Sequence, residues 1–128
     1  MTILVLILVL LLGLFNIFLG ISFLFNPAEM AGDFFLEPQG IQGLATIRAD
    51  YPAFFLTAGG FALYSAWKQS GWPLLVPMCL MSIAIIGRVV SLALDGQAPT
   101  AFQPMIVEAI MIAISVVGYR VFGRAANA

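Results

Sequence analysis

The chain has 128 residues, of which 62% are hydrophobic and 9% charged, with a net charge of -1 and a mean hydropathy of +1.09. A soluble domain of this length leaves too much of its surface in water to hide that apolar fraction, so lipid is the solvent that fits. Five basic against six acidic residues offer no basic face for a nucleic acid. The absence of histidine removes the commonest transition-metal and haem ligand, and the lone Cys79 cannot form a disulfide within the chain.

Taken in chain order, four apolar segments stand out, at about residues 2–25, 44–67, 72–94 and 102–122. Each meets or approaches the roughly 20 residues that a helix needs to cross about 30 Å of hydrocarbon. The expected fold is therefore all-α: a single integral membrane four-helix bundle over residues 1–128. Helix-end signals separate the segments, namely Asn26-Pro27, Gln69-Ser70-Gly71, and Asp95-Gly96 before Pro99. The first segment lacks a positive n-region and an A-x-A-like site, which predicts a retained helix and not a cleaved signal.

Between the first two segments, residues 30–36 have the pattern of a short amphipathic piece lying on the surface. Pro52 leaves two readings for the second helix, since proline disfavours helical geometry at Tyr51 and is best tolerated in a first turn. In one, Asp50 is the N-cap and the crossing part starts at Tyr51. In the other, the helix continues back through Arg48 with a kink. The sequence favours the first.

Lys68 lies in the second connection, and Arg120 and Arg124 lie near the end of the chain. Glu29, Asp33, Glu37 and Asp95 lie in or beside the first and third connections. By the positive-inside rule both termini are expected in the cytoplasm.

Charges inside a span are unfavourable unless they face a protein interior or a wet cavity. Arg88 lies about six residues before the end of the third helix and Glu108 about six after the start of the fourth. At 1.5 Å per residue both sit roughly 9 Å below the same edge, which predicts an ion pair between them. Arg88, Ser91 and Asp95 share one stripe, as do Glu108, Ser115 and Tyr119. Gly13, Asn16 and Gly20 form a small-and-polar seam on the first helix, and Ala58, Ala62 and Ala66 a small-residue seam on the second. Arg48, Asp50 and Asp95 are expected to ring the mouth above the pair. The five charges of that cluster sum to -1 and suit either a self-satisfied network or a pocket for a polar head group.

The remaining features take plainer readings. Tyr64, Trp67 and Trp72 read as interfacial anchors, and Cys79 as a small buried residue. Phe34, Phe35, Phe54, Phe55 and the methionines read as packing or lipid-facing residues, and Gly59-Gly60 as a close approach or bend. No phosphate loop, dinucleotide fingerprint or metalloprotease motif occurs, so no cofactor and no metal is expected.

The Arg48-Ala49-Asp50-Tyr51 run, Gly87-Arg88, Leu94-Asp95-Gly96 and the following Glu108 together resemble a family of small bacterial membrane proteins known as domain of unknown function 4345. Arg48, Tyr51, Arg88, Asp95, Gly96 and Glu108 occupy the positions that such sequences share, over nearly the whole chain. Pro52-Ala53 departs from the family, which commonly has glycines there. The resemblance implies a four-helix fold in a bacterial inner membrane and leaves the activity open.

Three functions fit these residues. The first is a non-catalytic accessory subunit or small-ligand binder, with Arg48, Asp50, Arg88, Asp95, Glu108, Asn16 and Tyr51 as the candidate polar cluster. The second is an enzyme acting on a lipid or isoprenoid, with a carboxylate moving a proton and an arginine holding a negative oxygen. The third is transport by a multimer. The partners expected are membrane lipids, a lipid-like ligand, and a membrane protein or second copy, with no nucleic acid.

Overall fold

The computed structural model describes residues 2–127. The described residues are all-α with no strand, and comprise α1 (Thr2–Phe25), α2 (Pro27–Asp33), α3 (Gly40–Lys68), α4 (Leu75–Leu94) and α5 (Phe102–Ala126). A 3-10 turn at Trp72–Leu74 leads into α4.

Three helical stretches, Thr2–Phe25, Trp72–Leu94 and Phe102–Ala126, are long and apolar enough to cross a membrane. Much of their apolar surface faces outward. Ile3, Leu4, Leu11, Leu14 and Phe18 of α1 are exposed, as are Ile83 and Ile86 of α4 and Ile106 and Ile110 of α5. Only 17% of the most apolar α4 stretch is buried. An exposed apolar surface of that extent is out of place in water and natural in lipid. The fourth expected span, α3, is long enough but less apolar, because Arg48, Asp50, Lys68, Gln42 and four glycines dilute its hydropathy.

α1 packs most extensively on α3 and α4 on α5, with α1–α5 and α3–α4 contacts joining the two pairs. The α1–α3 contact is built from glycines. A Cβ on Gly13 or Gly20 would come within 2.6 Å of Leu63 or Leu56, and one on Gly59 would meet the Gly13 carbonyl oxygen at 2.8 Å. This is the close backbone approach that small residues allow in lipid, where apolar burial no longer drives helices together. The Gly13–Leu63 and Gly20–Leu56 pairs fix an antiparallel register that sets Tyr51–Lys68 beside α1 and carries residues 40–50 past its end. The expected alanine seam faces the core of the bundle: Ala58 and Ala62 are fully buried and Ala66 nearly so, in one cluster with Val9 of α1, Met81 of α4 and Met111 of α5.

Asp50 does not cap a helix. α3 begins ten residues earlier, at Gly40, and runs through Pro52. Proline removes the N–H that would reach the Arg48 carbonyl and crowds that carbonyl with its ring. The turns before it are held by burial of Ile47 against Phe23, Ala31 and Phe55. Tertiary packing overrides the local preference. The piece expected at residues 30–36 forms as α2, shifted to Pro27–Asp33, with Pro27 and Ala31 buried beneath it.

At the other end, Gln69 takes a left-handed conformation (φ 49°) and its N–H returns to the Ser65 carbonyl, ending α3 at the expected turn. Ser65 Oγ donates to the Ser70 carbonyl at 2.5 Å. Tyr64, Trp67 and Trp72 cluster around this turn, with Lys68 Nζ 4.3 Å from the Trp67 ring centroid. Cys79, expected to be buried, is exposed on the outer face of α4.

Candidate ligand-binding cleft

The expected ion pair forms. Arg88 Nε on α4 donates to Glu108 Oε1 on α5 at 2.8 Å. The two partners differ in setting: 39% of the Arg88 side chain is exposed against 9% of Glu108. The second carboxylate oxygen, Oε2, is buried with no hydrogen-bond partner among the described residues.

Both residues line a cavity of about 750 Å³ between the α1–α3 pair and the α4–α5 pair. That volume lies within the range usual for small-molecule sites. Its wall is apolar over most of its area, contributed by Phe15 and Leu19 of α1, Phe34 and Leu36 after α2, Tyr51, Phe54 and Phe55 of α3, Met81 and Ala84 of α4, and Pro104, Val107 and Met111 of α5. The charged residues in the wall are Asp50, Arg88 and Glu108.

The helix directions grade this wall. Asp50 lies level with the end of α1, since its neighbour Arg48 bonds to Leu24. From Asp50 on α3, Arg88 on α4 and Pro104 on α5, each helix runs inward to Phe55, Met81 and Met111. The cleft is polar toward one end of the molecule and apolar toward its middle.

Two members of the expected cluster lie elsewhere. Arg48 Nη1 donates to the Leu24 carbonyl at 2.5 Å, satisfying an acceptor in the last turn of α1 that has no helical partner. Asp95 stands at the C-terminus of α4, accepting a hydrogen bond from Ser91 Oγ at 2.9 Å, and both are exposed. The Arg88, Ser91, Asp95 stripe therefore turns outward after Arg88, because the helix end has no neighbour to bury it. Tyr119 likewise is 41% exposed, whereas Ser115 on its stripe is fully buried.

Asn16 is fully buried behind the cleft. Its Nδ2 donates to the Leu12 carbonyl at 2.9 Å and lies 3.3 Å from Met111 Sδ, while its Oδ1 has no partner among the described residues. Asn16 thus touches the cleft-lining Met111, three residues from Glu108, and two orphan acceptors sit on facing helices. Asp50 and Tyr51 line the cleft directly, and no ion pair engages Asp50 among the described residues.

The sequence reading took Phe54 and Phe55 for packing, and passed over Ala84, Pro104 and Val107. A signal was present: Tyr51, Phe54 and Phe55 follow Asp50 at helical spacing, and Ala84 precedes Arg88 by one turn.

Charge is segregated along the molecule. The half containing α2 and the cleft mouth carries all six carboxylates with Arg48 and Arg88, a net of -4. The half containing the α3–α4 turn and the end of α5 carries Lys68, Arg120 and Arg124, a net of +3. The two sum to the chain's -1.

The described residues are all-α, with three helices long and apolar enough to cross a membrane and an internal cleft lined by an ion pair, which is consistent with a helical membrane protein. The chain belongs to the family described as Domain of unknown function (DUF4345), whose model matches residues 4–119. No curated protein and no solved structure matches the chain significantly.

Proposed function

We propose that the chain is a single-domain integral membrane protein of four spans that binds a lipid-like amphiphile in the cleft, acting as a ligand binder or accessory subunit and not as a catalyst. The observation that carries this reading is the graded wall. Asp50, Arg88 and Glu108 stand toward the mouth, and Phe15, Phe55, Met81 and Met111 toward the middle of the helices. A molecule with a polar head at the membrane interface and an apolar tail directed at the bilayer centre matches that gradient. Charges on helices of this apolarity also suit a wet or ligand-filled cavity better than a dry one.

In the same reading α3 is the fourth span, its Tyr51–Lys68 part lying beside α1 at full depth. The +3 end faces the cytoplasm, which puts both termini there, in a bacterial inner membrane. A membrane-protein partner or a second copy would dock on the lipid-facing surface.

The binding reading is tested by purifying the chain directly into native-lipid nanodiscs and extracting it for mass spectrometry. One amphiphile should be enriched over bulk lipid and lost in Ala84→Trp, which fills the cleft while leaving its charged residues in place. No enriched molecule, or one retained in that variant, would sink the proposal. Topology is read separately with Ser70→Cys and Gln97→Cys in a Cys79→Ser background. The first should react with an impermeant maleimide from the cytoplasmic side and the second from the opposite side.

A further inference from the structure

We infer that the head group held in the cleft is a protonated amine, so that the ligand is a single-chain or lipid-like cationic amphiphile. The inference rests on the cleft binding an amphiphile, as proposed above, and adds the charge and hydrogen-bonding character of the head.

The charged residues in the wall are two carboxylates and one guanidinium, Asp50, Glu108 and Arg88, a net of -1. Arg88 is committed through Nε to Glu108 Oε1, so its positive charge answers one carboxylate and leaves the other unanswered. A monocation brings the cleft to neutrality, a zwitterion or an alcohol leaves it at -1, and an anion takes it to -2. The carboxylate left over, Asp50, is exposed at the mouth, so its attraction for a cation acts at the polarity of the interface and is weaker than it would be in a dry interior.

One acceptor in the wall points the same way, set against the four further N–H groups of Arg88 that no hydrogen bond engages among the described residues. Glu108 is 91% buried by side chain, and its Oε2 lacks a donor. A carboxylate oxygen accepts and cannot donate, so a partner that reaches Oε2, which is closed off until the Glu108 side chain shifts toward the cleft, must carry an N–H or O–H. A protonated primary amine supplies three N–H groups and the compensating charge together. The surroundings reinforce this, because the half of the molecule at the cleft mouth carries a net of -4. That field concentrates cations at the entrance and repels anions. Tyr51, Phe54 and Phe55 add aromatic surface of the kind that favours cations.

The test uses the purified full chain in phosphatidylcholine nanodiscs, with retention on empty nanodiscs subtracted. Three tritiated amphiphiles of equal chain length serve as probes: dodecylamine, dodecanol and dodecyl phosphate. Dodecylamine should show saturable, protein-dependent retention, with dodecanol binding about tenfold more weakly, since a charge-assisted hydrogen bond is about 1.4 kcal/mol stronger than a neutral one. Dodecyl phosphate should show none. Asp50→Asn, at an exposed position, should weaken dodecylamine about tenfold and leave dodecanol unchanged; Glu108→Gln, if it folds, should do the same. Dodecanol or dodecyl phosphate binding as tightly as the amine, or an amine affinity indifferent to Asp50→Asn, would overturn the amine assignment while the amphiphile reading stands. Saturable retention of none of the three would overturn both.

Discussion

Arg88 reaches across from α4 to α5 with one N–H, Nε, and holds one oxygen of Glu108 at 2.8 Å, yet the two residues do not share a common environment. Glu108 is shut in by α5's neighbours, while Arg88 keeps 39% of its side chain exposed toward the cleft and its mouth. The pair is therefore asymmetric in what its loss would cost.

Removing Arg88 strands a buried carboxylate, whereas removing the Glu108 charge leaves a guanidinium that can still turn to water or head groups. Arg88→Ala should destabilise the protein by about 3–5 kcal/mol. Glu108→Gln should cost about 1–3 kcal/mol, the worth of a charge-assisted hydrogen bond. The Arg88→Met/Glu108→Met double variant should cost less than the sum of its singles. Denaturant unfolding in one detergent would check all of them, and equal losses for the two single variants would contradict the asymmetry.

The α1–α3 contact makes a prediction from glycines alone. Gly59→Ala places a methyl 2.8 Å from the rigid Gly13 carbonyl, forcing two helices apart. It should destabilise by about 1–3 kcal/mol. Gly60→Ala and Gly87→Ala meet open space on helices, and should be neutral or stabilising by about 0.5–1 kcal/mol. Thermal unfolding of the three variants in parallel separates packing from helix propensity.

Arg48 and Asp50, two residues apart, should separate in phenotype. Arg48→Ala removes the donor to Leu24 and should cost about 1–2 kcal/mol in stability without altering amphiphile retention. Asp50→Asn should leave unfolding unchanged, its effect confined to retention. Reversal of the two phenotypes would mean that the cleft mouth is drawn wrongly.

Asn16 carries a buried acceptor with no partner. Asn16→Leu removes that acceptor together with the amide's bonds to Leu12 and Met111, and should change stability by less than about 1 kcal/mol. Asn16→Asp would bury a charge beside Met111 and should cost several times more. A large loss in Asn16→Leu would show that Oδ1 is satisfied by a bound water or ligand in the membrane.

The sequence by itself determined the helical class, the apolar segments, the Gln69–Gly71 turn and the Arg88–Glu108 pair. These follow from quantities that the chain carries locally: run length against bilayer thickness, turn residues, and the equal distance of two charges from one connection. It also carried the glycine and alanine seams, because small residues at helical spacing are legible as a face. What only the tertiary structure decided was which elements lie beside one another. Arg48 looked like a member of the site because it is two residues from Asp50, but on a helix that spacing separates faces, and Leu24 of another helix claims it. Asp50 looked like a cap because Pro52 follows, but Ile47 buried against Phe23 extends α3 ten residues further. The cleft itself is the space left where two helix pairs part, and no single segment encodes it. Its depth gradient, with Asp50 at the mouth and Met81 and Met111 within, exists only once all four long helices are placed.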